Sequence, residues 1–139
     1  IKSIKINQMF QMIFGRVTRD FEHSRLTGAS YVMLASFILL LCFDKYVCIA
    51  SILIMSYSDT AAAIIGKKYG KTSIFNKTLE GSFAFLVTGL IIVLILYPEI
   101  RLASSLIALA VGTFVEALPI NVDDNLSVPI IVALIMSVG

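Results

Sequence analysis

Charged residues are scarce in this chain of 139 residues, and their scarcity excludes an ordinary soluble domain. Asp, Glu, Lys and Arg make up 14% of the sequence, whereas soluble globular proteins carry roughly 25%. Hydrophobic residues make up 58% and occur in blocks rather than at amphipathic spacing. The net charge of +2 provides no general polyanion-binding surface, so nucleic acid is not an expected partner. We therefore expect most of the chain to lie in a lipid bilayer.

Cysteine is also rare, and one common nucleotide-binding loop is missing. The two cysteines, Cys42 and Cys48, lie in or beside apolar runs, which favours buried, reduced thiols over a disulfide framework. No GxxxxGK[ST] loop occurs, so any nucleotide site must be of another type. Because the chain starts at Ile1 rather than Met and ends at Gly139 within an apolar run, we expect residues 1–139 to form one integral membrane domain that is a fragment or is trimmed at both ends.

Five apolar stretches predict an all-α fold, namely a polytopic transmembrane bundle of about five helices. A helix needs about twenty residues to span a bilayer, and roughly 17 are tolerated. Two or three stretches reach that length alone, whereas the first and the last need additional residues. The second is interrupted by polar residues around Asp59. The five stretches are Tyr31–Phe43, Tyr46–Ile65, Gly81–Tyr97, Leu102–Leu118 and Val128–Gly139.

Basic residues orient these predicted helices, because Lys and Arg are enriched in short cytoplasmic loops. One set of helix ends carries only Lys45 and Arg101. The opposite set carries Arg16, Arg19, Arg25, Lys67, Lys68, Lys71 and Lys77. The second set is therefore expected to face the cytoplasm. The fourth helix then delivers Glu116 and the segment 123–125 to the same leaflet as Asp59, so charges far apart in sequence are predicted to be neighbours in depth.

The polar residues predicted at this depth suit a nucleoside triphosphate and its metal ion. Carboxylates near the hydrocarbon are costly unless they have partners, which makes them functional candidates. Oxygen ligands are those that Mg²⁺ prefers, and lysines bind phosphate as point charges. Glycines allow close backbone approach. The candidates are the carboxylates Asp59, Glu116, Asp123 and Asp124, the lysines Lys67, Lys68, Lys71 and Lys77, and the glycines Gly66, Gly70 and Gly81.

Each of these residues also has a purely structural interpretation. The lysines at helix ends could be positive-inside anchors, and Asp59 could pair with a neighbouring helix. Glu116 could be an ordinary helix-end carboxylate. The segment 123–124 could be a loop before a helix capped by Asn125 or Ser127. It is their expected convergence on one side that favours a site.

Several stretches together resemble the family of dolichol kinases, phytol kinases and CTP-dependent diacylglycerol kinases. SDTAAAIIGKKYGK followed by NKTLEGSFAF is similar to the family's acidic DTAA segment, basic turn and K-[ST]-x-E-G-S element. RLTGASYVMLASFILLLCF resembles the preceding helix, and EALPINVDDNLSVPI resembles the closing motif, in which an E-x-x-P turn leads to a DN pair. The resemblance runs from about Glu22 to Val132.

The resemblance implies a membrane enzyme that transfers the terminal phosphate of CTP, or of another nucleoside triphosphate, to a lipid alcohol such as diacylglycerol, phytol or a polyprenol. Asp59, with one or more of Glu116, Asp123 and Asp124, would hold Mg²⁺ or another divalent cation. Lys77, with Lys67 or Lys68, would neutralise the triphosphate. Glu80 would orient Lys77 or act as the base. Gly81 and Asn125 complete the nucleotide-binding positions.

The implied enzyme would reside in a bacterial inner membrane or a eukaryotic endomembrane, with its active site facing the cytoplasm; the sequence leaves a homo-oligomer open. Two departures from the family pattern stand out. Family members commonly carry further upstream helices, including a basic segment with a histidine, and nothing here matches them, so the resemblance implies a catalytic domain that is missing upstream helices. In addition, Ser58 stands where glycine is common.

Two other functions compete with the kinase. CDP-diacylglycerol synthases share the D-x-A-A and K-[ST]-x-E-G arrangement, but their closing histidine-glycine-glycine signature is absent and VDDNLSVPI stands there instead. An ion-coupled transporter would also carry intramembrane carboxylates and an interrupted helix. Against a transporter, the polar residues are expected at one leaflet rather than at the midplane, and no inverted repeat is visible.

Overall fold

The computed structural model describes residues 27–75 and 77–138. Within these residues the chain is almost entirely helical, which confirms the all-α prediction apart from one short hairpin. The helices are α1 (Gly28–Cys42), α2 (Lys45–Leu53), α3 (Asp59–Tyr69), α4 (Leu79–Leu96), α5 (Leu102–Ala117) and α6 (Asp124–Val138). The strands β1 (Ser73–Ile74) and β2 (Lys77–Thr78) pair antiparallel between α3 and α4. The basic residues Arg16, Arg19 and Arg25 lie outside the described residues.

A π-helical turn, Ile54–Ser58, joins α2 to α3 and makes Lys45–Tyr69 one continuous helix of 25 residues. The apolar stretch predicted at 46–65 therefore continues past its polar interruption. The interruption changes the helix type without ending the helix. Such turns occur mostly as short insertions inside α-helices, frequently at functional sites.

Each predicted apolar stretch corresponds to a helix, and local chemistry sets the helix ends. The helix α4 ends two residues before Pro98, and α5 ends two residues before Pro119, in agreement with the inability of proline to continue a helix. The helix α6 begins four residues earlier than its apolar stretch. The reason is that Asp123 accepts a hydrogen bond from the backbone N–H of Asn125 at 3.0 Å, as a helix N-cap does.

Two of the described helices, Lys45–Tyr69 and Leu79–Leu96, are long and apolar enough to cross a membrane by length and composition. The other three, α1, α5 and α6, are apolar but shorter. Large apolar side chains are exposed on the outer surface, among them Met33, Phe37, Leu40 and Ile95. A bundle in which all five helices span the membrane remains a prediction.

The core lies between α4 and its neighbours and includes Ile54, Phe85, Val93 and Val132. Small residues allow the helices to pack closely. A Cβ atom added at Gly89 of α4 would collide with the side chain of Leu109 on α5. A Cβ atom added at Gly112 of α5 would lie 2.8 Å from Val132 of α6. These contacts fix how α4, α5 and α6 sit relative to one another.

Five helix termini meet at one end of this bundle. The C-terminal parts of α3 and α5 lie there beside the first turns of α4 and α6, and they line shared cavities. The start of α1 joins them, because a Cβ atom added at Gly28 would lie 3.3 Å from the side-chain nitrogen of Asn125. The structure therefore places the charged ends that the sequence predicted to be neighbours on one side of the molecule.

Candidate active site

Two salt bridges that share Lys77, together called the ion pair, lie at the centre of this end. The Nζ atom of Lys77 is 2.6 Å from Oε1 of Glu116 and 2.7 Å from Oδ2 of Asp124. Glu116 is only 3% exposed, whereas the side chains of Lys77 and Asp124 are 33% and 38% exposed. Burial makes this pairing necessary, because an unpaired carboxylate at the depth of Glu116 would cost several kcal/mol.

Three separate elements deliver these three residues. Glu116 occupies the last turn of α5, and Asp124 is the first residue of α6. Lys77 reaches them because the hairpin reverses the chain after α3, with Ile74 paired to Lys77 and Ser73 to Thr78. The hairpin thus turns the chain back after the C-terminal end of the long helix and brings Lys77 to the ends of α5 and α6.

The ammonium group of Lys77 stays charged in this environment. Burial lowers the pKa of Lys77, but hydrogen bonds from its amine to Asp124 and Glu116, together with their charges, raise it by more. The net pKa lies above the usual lysine value. Lys77 is therefore a permanent cation at neutral pH.

A cavity of about 350 Å³ opens beside the ion pair. Its charged lining residues are Asp59, Lys67, Lys77 and Glu116. The remaining wall consists of small side chains, namely Ala62, Ala63, Gly66, Thr78, Gly81 and Ser82. The cavity thus combines two carboxylates, two lysines and a narrow wall of small residues.

Two buried polar atoms of this lining have no hydrogen-bond partner among the described residues. They are Oε2 of Glu116 and the hydroxyl of Ser82. Buried polar atoms in native proteins are almost always satisfied, and an orphan calls for a missing partner. The partner that suits a carboxylate oxygen is a cation or a hydrogen-bond donor on a ligand.

Asp59 follows the π-helical turn and lines the same cavity as Glu116. It also borders a smaller gap together with Asp124, Asn125 and Phe85. The hydroxyl of Ser58 beside it is fully buried and has no partner within the described residues. The structure therefore brings Asp59, Glu116 and Asp124 together, as the sequence predicted for the carboxylates.

The two adjacent lysines of the basic turn differ in their surroundings. Lys67 lines the cavity, whereas Nζ of Lys68 lies 5.2 Å from the ring centre of Tyr69. Successive residues of an α-helix point about 100° apart, so the two neighbours cannot face the same ligand equally. Lys71 follows in the loop and is exposed.

Glu80 occupies a different position from the one that its predicted role requires. Its carboxylate oxygens accept hydrogen bonds from the backbone N–H of Thr72 at 3.2 and 3.3 Å. Glu80 thereby holds the loop between α3 and β1, and Lys77 is oriented by Glu116 and Asp124 instead. Gly81, in contrast, lines the cavity, and a Cβ atom there would lie 3.0 Å from the carbonyl oxygen of Ala62.

Asp123 and Asn125 form the cap of α6. Oδ1 of Asp123 accepts hydrogen bonds from the backbone N–H of Asn125 at 3.0 Å and from its side-chain amide at 2.7 Å. The cap at this helix is therefore Asp123 rather than Asn125 or Ser127. Asp123 is thus part of the cap of α6, and it does not line the cavity that Asp59 and Glu116 line.

The described residues contain no group of three or more Asp, Glu, His or Cys side chains arranged to hold a metal ion. Mg²⁺, however, is usually bound through one or two carboxylates together with substrate phosphates and water. The unpaired oxygen of Glu116 beside Asp59 fits that kind of site, in which a nucleotide supplies part of the coordination.

Three features of the site were not predicted from the sequence. The polar run Ser56–Thr60 is a partial indication of the π-helical turn before Asp59. No sequence pattern indicates the role of Ser82, since a serine after glycine is common in an apolar helix. Thr78 caps α4 by accepting a hydrogen bond from the N–H of Gly81 at 3.2 Å. The sequence feature that indicates this cap is a threonine three residues before Gly81.

Comparison with known proteins gives similarity over most of the chain. CTP-dependent diacylglycerol kinase 1 of Schizosaccharomyces pombe is 26% identical over 148 residues, covering 94% of this chain and 68% of that protein. The CTP-dependent diacylglycerol kinase 1 of Saccharomyces cerevisiae is 30% identical over 159 residues, covering 94% and 54%. A Glycine max protein named "Probable phytol kinase 2, chloroplastic" is 30% identical over 151 residues, covering 94% and 51%. No family model matches the chain, and no solved structure matches it.

These relatives are named as lipid kinases, and they support that class for the helical bundle with its charged site. Within that class, the chain is similar over most of its length to the family that contains the CTP-dependent diacylglycerol kinases and the phytol kinases. The resemblance seen in the sequence motifs is thereby confirmed. The chain spans about two thirds of the length of the fission yeast relative and about half of the other two.

Proposed function

We propose that this chain carries the catalytic site of a membrane lipid kinase that transfers the terminal phosphate of CTP, or of another nucleoside triphosphate, to a lipid alcohol. The observation that supports this most directly is the cavity in which Lys67 and Lys77 face Asp59 and the unpaired oxygen of Glu116. The names of the relatives add CTP and a lipid acceptor. The acceptor itself, diacylglycerol, phytol or a polyprenol, is for experiment to identify.

The lysines and carboxylates would have separate tasks in this reaction. Lys67 and Lys77 would bind the phosphates, because charge-assisted hydrogen bonds to phosphate are stronger than neutral ones. Asp59 and Glu116, with Asp124 beside them, would hold a divalent cation that neutralises the charge of the phosphates. Phosphoryl transfer depends mainly on positioning and on such charge neutralisation.

The lipid hydroxyl loses a proton in this reaction, and we propose that a carboxylate of the cavity accepts it. The lipid hydroxyl oxygen forms the new bond to the terminal phosphorus while the bond to the middle phosphate breaks, and the nucleoside diphosphate leaves. The hydroxyl proton would pass to Asp59 or Glu116, since both line the cavity. Glu80 is engaged by the N–H of Thr72 outside the cavity lining, which argues against it as the base.

The lipid would approach from the bilayer. We propose that all five helices span the membrane and that the end bearing the lysines faces the cytoplasm, in accordance with the positive-inside rule. The small residues Ala62 and Ala63 would form the apolar side of the cavity through which the hydroxyl-bearing end of the lipid enters. With this end of the bundle at the cytoplasmic surface of the membrane, a soluble nucleotide and a membrane lipid would meet in the cavity.

A labelling experiment tests the reaction. Purified protein with Mg²⁺ is incubated with CTP labelled at either the γ- or the α-phosphate, together with a panel of lipid alcohols and phosphatidic acid. We expect label in a lipid alcohol only from the γ-position, and loss of that label in Asp59→Asn. Label from the α-position in phosphatidic acid would instead establish a cytidylyltransferase. No transfer from either position would contradict the proposal for this chain.

A further inference from the structure

The ion pair at the centre of the site engages the carboxylates that a divalent cation would need. Lys77 bridges Glu116 and Asp124 with hydrogen bonds of 2.6 and 2.7 Å. Lys77 therefore acts as an internal cation that already offsets one of the two negative charges of this pair. A metal ion and an ammonium group cannot both occupy the space between the same two oxygens.

Lys77 also separates two cavities. The first, of about 350 Å³, is lined by Asp59, Lys67 and the small residues of α3 and α4. The second, of about 230 Å³, is lined by the loop between α5 and α6, including Pro119 and Asp123. Lys77 and Glu116 line both cavities. Glu116 and Asp124 both line the second cavity, so a rotation of the Lys77 side chain away from them would leave the two carboxylates facing one space without their bridging cation.

The chemistry of the side chain permits such a rotation. A lysine ammonium is a point charge on a flexible four-carbon stem, so it can change partners without movement of the backbone. Its departure is costly while the buried Glu116 has no other cation, because an uncompensated buried charge is strongly destabilising. The departure becomes favourable when phosphate oxygens receive the ammonium and a metal ion replaces it at the carboxylates.

We propose that Lys77 and a divalent cation compete for Glu116 and Asp124, so that the free cation is excluded and enters together with the nucleotide. This inference rests on the proposed function for the identity of the anionic ligand, but not for the competition itself. It makes Lys77 a ligand-binding residue that also couples two binding events. Such couplings between sites typically change affinities by about 5- to 150-fold.

Binding of Mn²⁺, followed by its paramagnetic resonance signal, tests the competition without any turnover. The protein is compared with Lys77→Gln, Lys77→Arg and Lys71→Gln in the absence of nucleotide. We expect Lys77→Gln to bind Mn²⁺ about tenfold more tightly or better. Lys77→Arg keeps the charge and should remain weak. Lys71→Gln, which changes an exposed lysine of the adjacent loop, should match the parent protein.

A second measurement uses the parent protein alone and therefore does not depend on the folding of any variant. Mn²⁺ is titrated with and without a non-hydrolysable CTP analogue, and the binding of Mn²⁺ to the analogue alone is measured without protein and subtracted. We expect the analogue to increase the affinity of the protein for Mn²⁺ by about tenfold or more. Equal affinities with and without the analogue would overturn the proposal. A folded Lys77→Gln variant that binds Mn²⁺ no better than the parent would overturn it as well.

The result of the Mn²⁺ binding experiments can be distinguished from the result of the kinase assay. If Lys77→Gln gains Mn²⁺ affinity while the parent transfers no phosphate, the competition holds and the proposed reaction fails. If the parent phosphorylates a lipid and Lys77→Gln gains no affinity, the reaction holds and the competition fails. Thermal unfolding of each variant shows whether it is folded before either result is interpreted.

Discussion

At the residue scale, the site is distinguished by which way neighbouring side chains point. Lys67 faces the cavity and Lys68 lies against Tyr69, although the two are adjacent in the chain. Glu116 is buried, and although Lys77 pairs with one of its oxygens, the other has no partner within the described residues. These differences in surroundings, rather than differences in residue type, decide which charges can act on a ligand.

The two lysines provide a matched pair of substitutions. Lys67→Ala should raise the KM for the nucleotide, because a hydrogen bond to a charged group contributes about 1.5–3 kcal/mol. This corresponds to roughly tenfold to hundredfold in affinity. Lys68→Ala should leave the KM within about twofold, since surface charges away from a ligand contribute little. Steady-state kinetics with CTP distinguishes the two, and equal effects would contradict the assignment of Lys67 to the cavity.

The sequence predicts much of this charge distribution but not its details. The positive-inside rule and the chain direction were sufficient to predict that Asp59, Glu116 and Asp124 approach one another, as the structure shows. The pairing of Lys77 with Glu116 and Asp124 was not predictable, because it depends on how far the hairpin folds back. The same holds for Glu80, whose partner is a backbone N–H in a loop that no pattern specified.

At the element scale, the arrangement of the helices depends on the π-helical turn and on glycines, which carry no side chain at the helix crossings. The π-helical turn leaves the helix Lys45–Tyr69 continuous while changing the direction of the residues that follow it, including Asp59. The turn itself spans only five residues, which are too few for the periodicity of the sequence to reveal it. The glycines at helix crossings are visible in the sequence, but their partners are known only from the fold.

The crossing of α4 and α5 predicts a specific stability effect. Gly89→Val should destabilise the protein by about 1–3 kcal/mol, because the new side chain would overlap Leu109 in a packed core. Leu109→Ala in the same chain should relieve the overlap. A double-mutant cycle should therefore show a favourable coupling of about 1 kcal/mol or more. Thermal unfolding in detergent measures both.

A control for this cycle is Ala110→Val, which enlarges an exposed side chain on the same helix as Leu109. Exposed substitutions usually change stability by less than about 0.5 kcal/mol. An equal loss in Gly89→Val and Ala110→Val would mean that the α4–α5 contact is not closely packed. Purely additive effects of Gly89→Val and Leu109→Ala would contradict the proposed overlap.

At the scale of the whole molecule, the described helices form a bundle with apolar side chains on its outside and charge at one end. Phe37 of α1 is 62% exposed, and Tyr69, near the lysines, is 54% exposed. In water such a surface would be unfavourable, whereas in a bilayer it is the expected arrangement. The composition of the sequence predicts this arrangement directly. The number of helices that span the membrane requires measurement.

The absence of tryptophan from the sequence makes that measurement simple. Phe37→Trp and Tyr69→Trp each introduce one fluorophore into protein reconstituted in lipid. We expect lipids brominated along their acyl chains to quench Trp at position 37 strongly. Aqueous iodide should quench Trp at position 69 more than Trp at position 37. Quenching of both positions by iodide alone would contradict a membrane-spanning α1.

The contact between Gly66 and Gly81 limits how the cavity can vary in shape. A Cβ atom added at Gly81 would lie 3.5 Å from the Cα atom of Gly66, and one added at Gly66 would lie 3.7 Å from the Cα atom of Gly81. Both distances are ordinary van der Waals contacts, whereas a Cβ atom at Gly66 would lie 2.8 Å from the hydroxyl of Thr78 and one at Gly81 would lie 3.0 Å from the carbonyl oxygen of Ala62. A larger residue at either position must therefore displace the cap of α4 or the backbone of α3, or project into the cavity that both glycines line. The shape of the cavity is thus tied to the threonine that caps α4, and a change at either glycine alters both together.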